Sequence, residues 1–179
     1  MLFVTNREPQ GSIRTRVNRA YKFDLKKNAP SNSIYCCERV GKDDYIELGA
    51  YGLMSKLRDS NAKQILFFIH GFSNLPEPDI FPRVEKLQKY FDTKEQDLVQ
   101  VIPIIWPCDD DPGIVKDYWD DQKSADLSAF SFSRALQFLW HGEIRSLKII
   151  PASNALIYSH TLWAIGYSER RFPSGINMI

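Results

Sequence analysis

The 179-residue sequence has little cysteine, only three histidines and almost no net charge. Its cysteines are an adjacent pair, Cys36 and Cys37, and a lone Cys108. That odd count and spacing suit neither a zinc site nor a disulfide framework. They read as reduced, partly buried thiols of a cytoplasmic protein. A formal charge of +1 provides no global basic field for nucleic acid. The local exception is Arg14 to Lys27, a basic stretch interspersed with Tyr21 and Phe23, which reads as a solvated flank. No apolar run approaches the ~20 residues of a membrane span. The start, MLFVTNREPQ, lacks a basic region followed by a long apolar core, so no signal peptide is expected. Neither nucleic acid nor membrane is expected as a partner. Repeats and low-complexity segments are absent.

What is present is 44% apolar and 25% charged residues, the composition of a globular domain with a real core. Leu2 to Thr5 reads as a short edge strand, and residues 6 to 32 as irregular backbone punctuated by Pro9, Gly11 and Pro30. Ile34 to Val40 is a possible strand. Between Ile46 and Arg58, Leu53 and Leu57 with Tyr51 and Met54 suggest one face of a helix. Ile65 to Ile69 is an unbroken apolar strand. Ile80, Val84, Leu87 and Phe91 then recur on one helix face, with Asp79 as its N-cap and Pro82 in the first turn. A second apolar strand, Leu98 to Ile105, ends at Trp106-Pro107. Helices are expected at Ile114 to Trp119 and at Ser124 to Trp140, the latter with Leu127, Ala135, Phe138 and Leu139. Fully apolar strands alternating with helices predict βαβ units, so the class is α/β with a parallel sheet. After Trp140 no clean period emerges, and a third βα unit that is due there is missing.

The stretch QILFFIHGFSN, residues 64 to 74, places His70-Gly71 directly after a buried strand. There the amide of Phe72, or that of Ser73, can face a developing negative oxygen, as half of an oxyanion hole. Standing alone, the pair is equally a plain strand-end turn with a packed histidine. The order ILFFIHGF, an amphipathic helix, VQVIPIIWP and then YWDDQKSADLSAFSFSRALQFL resembles an uncharacterised bacterial branch of the α/β-hydrolase superfamily, across roughly residues 46 to 140. The resemblance implies an incomplete doubly wound parallel sheet of α/β-hydrolase type. It also implies a serine-esterase-like scaffold and a small ester-like or acyl substrate. Next it implies an elbow strand pairing beside Ile65–Ile69, a nucleophile elbow of the form HSMGN, an acid and a histidine. None of these motifs is written in the chain. The domains expected are an N-terminal segment at 1–45, a core at 46–141 and an atypical tail at 142–179.

The genetic code offers a reason. Regrouping codons across junctions makes Trp163 (always TGG) and Ala164 (GC-) encode glycine, and Ser159 to Ile165 is compatible with Ala-His-Ser-Met-Gly-Asn. Extended, Lys148 to Arg170 is compatible with DYSSIKCVNLLAHSMGNWLFRA, the missing strand, elbow and helix start. A frame change between about Leu139 and Lys148 is the leading explanation, and coding DNA incompatible with HSMGN would end it. The chain as written is then expected to leave one edge of the strand Ile65–Ile69 unpaired, unless a tail segment, Leu147–Ile150 or Ala155–Tyr158, takes the slot by chance.

The candidate catalytic residues are therefore Gly71 and Phe72, as oxyanion-hole donors only. Nucleophile, acid and base are absent, Ser73 reads as a loop hydroxyl, and His141 and His160 have no supported role. Asp109, Asp110 and Asp111 lack the spaced ligands of a calcium loop. No cofactor or metal is expected. The reading is a hydrolase scaffold, inactive as written. The alternative is a non-catalytic module that binds a partner protein through its incomplete sheet or its tail.

Overall fold

The computed structural model describes residues 1–27, 29–71, 73–108, 127–129, 131–133 and 147–151. Its strands are β1 (Leu2–Arg7), β2 (Arg19–Tyr21), β3 (Pro30–Gly41), β4 (Asp44–Glu47), β5 (Gln64–Ile69), β6 (Val99–Ile105) and β7 (Leu147–Pro151). Helices α1 (Gly49–Asp59) and α2 (Phe81–Lys94) lie between strands, with a π-helical turn at Pro76–Ile80 before α2, and residues 127–129 and 131–133 are helical as well. The strands form one sheet in the order β2-β4-β3-β1-β6-β5-β7. β1, β6, β5 and β7 run parallel, while β3 pairs antiparallel with both β1 and β4, and β4 with β2.

The alternation of side chains along each strand splits the core into two layers. Ile65, Phe67 and Ile69 of β5, with Ile102 and Ile104 of β6, pack against Leu53, Met54 and Leu57 of α1 and against Phe132. Leu66 of β5, Val99 and Val101 of β6 and Phe3 of β1 pack on the other face against Ile80, Phe81 and Val84 of the α2 segment. Helices on both faces of a sheet with a parallel core make this the α/β, doubly wound arrangement expected. Both faces are covered, which is why β5 and β6 read as unbroken apolar runs.

Several local expectations change. β1 is longer than Leu2–Thr5 and is no edge strand: it lies between β3 and β6, buried at every position through Asn6 and Arg7. The polar stretch 6–32 contributes β2 and the start of β3. Helix α1 begins at Gly49 because Asp44–Glu47 is spent on β4, and Tyr51 faces solvent. Gly49 itself has φ +68°, and a Cβ there would meet Val17 Cγ2 at 3.0 Å. Asp79 is not the N-cap of α2. It sits inside the π-helical turn, and its Oδ2 accepts the Leu75 N–H at 2.9 Å. Leu127 is exposed whereas Ser128, Ala129 and Phe132 are buried, so that helical stretch turns a different face inward. The 114–119 helix, and Ala135, Phe138 and Leu139, lie outside the described residues.

The bare edge expected on β5 is not bare. β7 pairs with it in parallel from Ile65↔Leu147 to Ile69↔Pro151. A short apolar segment with β-branched residues suffices, since the ladder uses only backbone groups.

One side-chain cluster ties the β3–β4 hairpin to the entry of α2. Arg39 holds Glu77 in a two-pronged pair, Nε to Oε1 and Nη2 to Oε2, both 2.9 Å. Tyr45 donates its hydroxyl to the same Oε1 at 2.5 Å and the Asp43 N–H does so at 3.1 Å. Burial pushes the Glu77 carboxyl up, but these hydrogen bonds and the Arg39 charge outweigh it and hold the pKa at about 2. A carboxyl depressed on folding stabilises above its ordinary 4.5, and that contribution is lost as pH falls toward 2. Glu77→Gln is expected to cost about 2 kcal/mol at neutral pH. Urea melts of the variant should lose most of the acid-induced decline in that window.

Candidate functional site

β5 and β6 end level with one another, Ile69 opposite Ile104. The residues that follow, His70 and Trp106, continue the pairing by side chains. The Trp106 backbone N–H donates to His70 Nε2 at 3.1 Å, and its indole Nε1–H donates to the His70 carbonyl at 2.9 Å. The two rings stack, with centroids 5.0 Å apart and planes within 4°. Since Nε2 accepts, the imidazole proton belongs on Nδ1, which donates to the Gly71 carbonyl at 2.7 Å. Asn74 Nδ2 donates to that same oxygen at 3.0 Å.

Cys108 closes the cluster. Its thiol donates to the Asn74 carbonyl at 3.2 Å and lies 3.7 Å from His70 Nδ1. Its own carbonyl accepts Arg7 Nη1 at 2.9 Å. Alongside, Thr5 Oγ1 donates to the Ile105 carbonyl at 2.7 Å, and Asn6 Nδ2 donates to Ser128 Oγ at 2.9 Å. Thr5, Asn6, Arg7, His70, Asn74, Cys108 and Ser128 are all buried. They gather at the carboxyl ends of β1, β6 and β5, the end of an open α/β sheet where ligands bind.

Burial drives the His70 pKa down to about 4; Arg7 pushes the same way, against the hydrogen bond to the Gly71 carbonyl. His70 is therefore neutral near pH 7 with both nitrogens engaged, and it is no free base. For the same reason it does not activate Cys108: the nitrogen nearest the sulfur already carries the proton. The packed histidine and the formed corner coexist, and the first builds the second. Cys36, pushed up to about 12 by burial, and Cys37, raised further by burial, are unreactive thiols.

Of the two expected donors, Gly71 is at the corner with its carbonyl pinned, while Phe72 lies outside the described residues. Ser73 is exposed and left-handed, φ 51°, a conformation that costs a non-glycine residue about 1 kcal/mol. It lies in the loop that joins β5 to the π-helical turn. No histidine base is placed beside it among the described residues. His141, His160 and Asp109 to Asp111 lie outside them. No group of three metal-binding side chains occurs among the described residues, and no helix there is long and apolar enough to cross a membrane. The groove lined by Leu2, Glu38, Lys56, Asp59 and Gln100 is at the opposite, amino end of β6 and β1.

Asn6, Arg7, Asn74, Trp106 and Cys108 were not singled out from sequence. The run Thr5-Asn6-Arg7, polar at the end of an apolar strand, was the available signal. Trp106 was read only as a strand terminator.

No curated protein and no solved structure matches the chain. A family model, alpha/beta hydrolase of unknown function (DUF900), matches residues 50–160. That segment begins close to where the resemblance was read and runs past residue 140, where it was read to stop. With more than half its length matched, the chain belongs to this family of α/β hydrolases of unknown function.

Proposed function

We propose that the chain is a serine-hydrolase scaffold of esterase type that retains an oxyanion corner at Gly71-Phe72 and lacks a working nucleophile as written. The observation that carries this reading is the locked Gly71 carbonyl, held by His70 Nδ1 and Asn74 Nδ2 at the carboxyl end of β5. A fixed backbone turn at the carboxyl end of a sheet is the setting in which a preorganised N–H stabilises a developing oxyanion without reorganising during the reaction. The substrate class that fits is a small ester or acyl compound. The shifted-frame serine of HSMGN supplies the group such a corner would serve.

A fluorophosphonate probe tests the proposal. The purified chain should stay unlabelled under conditions that label an active serine esterase completely. Stoichiometric labelling that disappears in Ser73→Ala would overturn it and make the exposed, left-handed serine a nucleophile. A non-catalytic binding role is the second reading. Its surface is not the β5 edge, which β7 covers.

A further inference from the structure

Between Ser12 and Lys27 stand six Lys or Arg and a single acid, in a chain whose whole formal charge is +1. The remainder is therefore net acidic, and this segment carries a local excess of positive charge. The fold sorts that segment into two sides. Tyr21 and Phe23 turn inward, in ring contact with each other and with Phe3. Ile13, Arg14, Thr15, Arg16 and Val17 are all exposed, and so are Lys22, Leu25 and Lys26.

Two of the six cations are neutralised, Arg19 by Glu47 at 2.8 Å and Lys27 by Glu8. Arg14, Arg16, Lys22 and Lys26 form no ion pair among the described residues. The loop is also held in place. The buried Glu47 carboxylate accepts the Arg16 N–H at 2.8 Å and Arg19 Nε at 3.0 Å. The Tyr35 hydroxyl donates to the Ile13 carbonyl at 2.5 Å, and Arg19 Nη1 donates to the Ser12 carbonyl at 2.6 Å.

Unpaired cations beside exposed aliphatics are what an anionic bilayer surface recognises. Phosphate headgroups meet Arg and Lys, and branched side chains enter the acyl boundary. A nucleic acid offers phosphates as well, but it has no use for exposed Ile13 and Val17. Single strands require exposed aromatic faces, and Tyr21 and Phe23 are buried. We infer that the Ser12–Lys27 loop docks this protein on anionic membrane surfaces as a peripheral contact. The inference goes beyond the hydrolase reading and departs from the expectation of no membrane partner.

Co-sedimentation with vesicles decides it. The intact chain should pellet with phosphatidylcholine vesicles containing one third phosphatidylglycerol, and not with phosphatidylcholine alone. Binding should fall at least ~10-fold between ~0.1 and ~0.5 M NaCl. The double variant Arg14→Glu, Arg16→Glu should weaken it on the order of fivefold or more per charge. Ile13→Ser with Val17→Ser should weaken it while keeping the salt dependence. These side chains are exposed, so thermal melts of the variants should match the parent. Absence of binding, equal binding to both vesicle types, or full binding by the charge-reversed variant would overturn the inference. So would single-stranded RNA that binds more tightly and displaces the vesicles.

Discussion

His70→Ala is expected to destabilise the chain by about 4 kcal/mol, the larger part of a typical domain's stability margin. Three losses combine. The Trp106 N–H loses the His70 Nε2 acceptor within a buried corner, worth about 1–3 kcal/mol. The parallel stack on the Trp106 ring disappears, about 1 kcal/mol. A cavity opens where a fully buried ring stood. His70→Phe keeps the volume and the stack but still strands the amide, so it should cost about half as much. Urea unfolding followed by tryptophan fluorescence measures both, and a loss under ~1 kcal/mol for the alanine variant would remove the lock from the account of the corner.

The same residue sets a pH dependence. Folding lowers the His70 pKa from its ordinary 6.5 to about 4, so between those values the unfolded chain binds the extra proton. Stability is then full above 6.5 and falls as pH drops to about 4, by roughly 3 kcal/mol in all. The alanine variant should be flat across this range. Glu77 acts lower, between 4.5 and about 2, so acid should weaken the fold in two successive stages.

Phe3→Ala should cost a similar amount, about 4 kcal/mol, for a different reason. Phe3 has no exposed surface and sits among four rings: Tyr21 at 6.4 Å, Phe23 at 5.8 Å, Tyr45 at 5.6 Å and Phe81 at 5.3 Å between centroids. It joins the central strand to β2, to the β3–β4 hairpin and to α2 at a single point. Each edge-on or offset pair adds about 0.5–1.5 kcal/mol to plain area burial. Phe3→Leu, which leaves a smaller void, should lose about 1–2 kcal/mol. Because Tyr21 and Phe23 anchor the basic loop through this cluster, amide exchange in residues 12–24 should quicken in Phe3→Ala well before global unfolding. Unchanged exchange there would mean that the hydrogen bonds to Glu47, Tyr35 and Arg19 hold the loop without the ring cluster.

How much of this was legible beforehand depended on the range of the interactions involved. β5, β6 and the inward face of α2 were readable because an apolar run or a 3.6-residue period is written into neighbouring residues. Tyr51, Asp79 and Leu127 were misplaced by the same local logic. Tyr51 lies off the stripe formed by Leu53, Met54 and Leu57, and Asp79 belongs to a π-helical turn that a 3.6-residue period does not describe.

The amino-acid order alone determined that buried parallel strands alternate with helices and that one of them delivers His-Gly to the sheet's carboxyl edge. It also carried the resemblance read from about residue 46, and the family match covers residues 50–160. Tertiary structure decided that Leu2–Arg7 is central rather than an edge, and that Leu147–Pro151 fills the place beside β5. It also brought Trp106 and Cys108 to His70, and Arg7 to Cys108, from distant positions. The reason is physical: periodicity reports whether a strand is buried, but backbone ladders are nearly indifferent to which sequence pairs with which. Only packing and long-range hydrogen bonds select the neighbour.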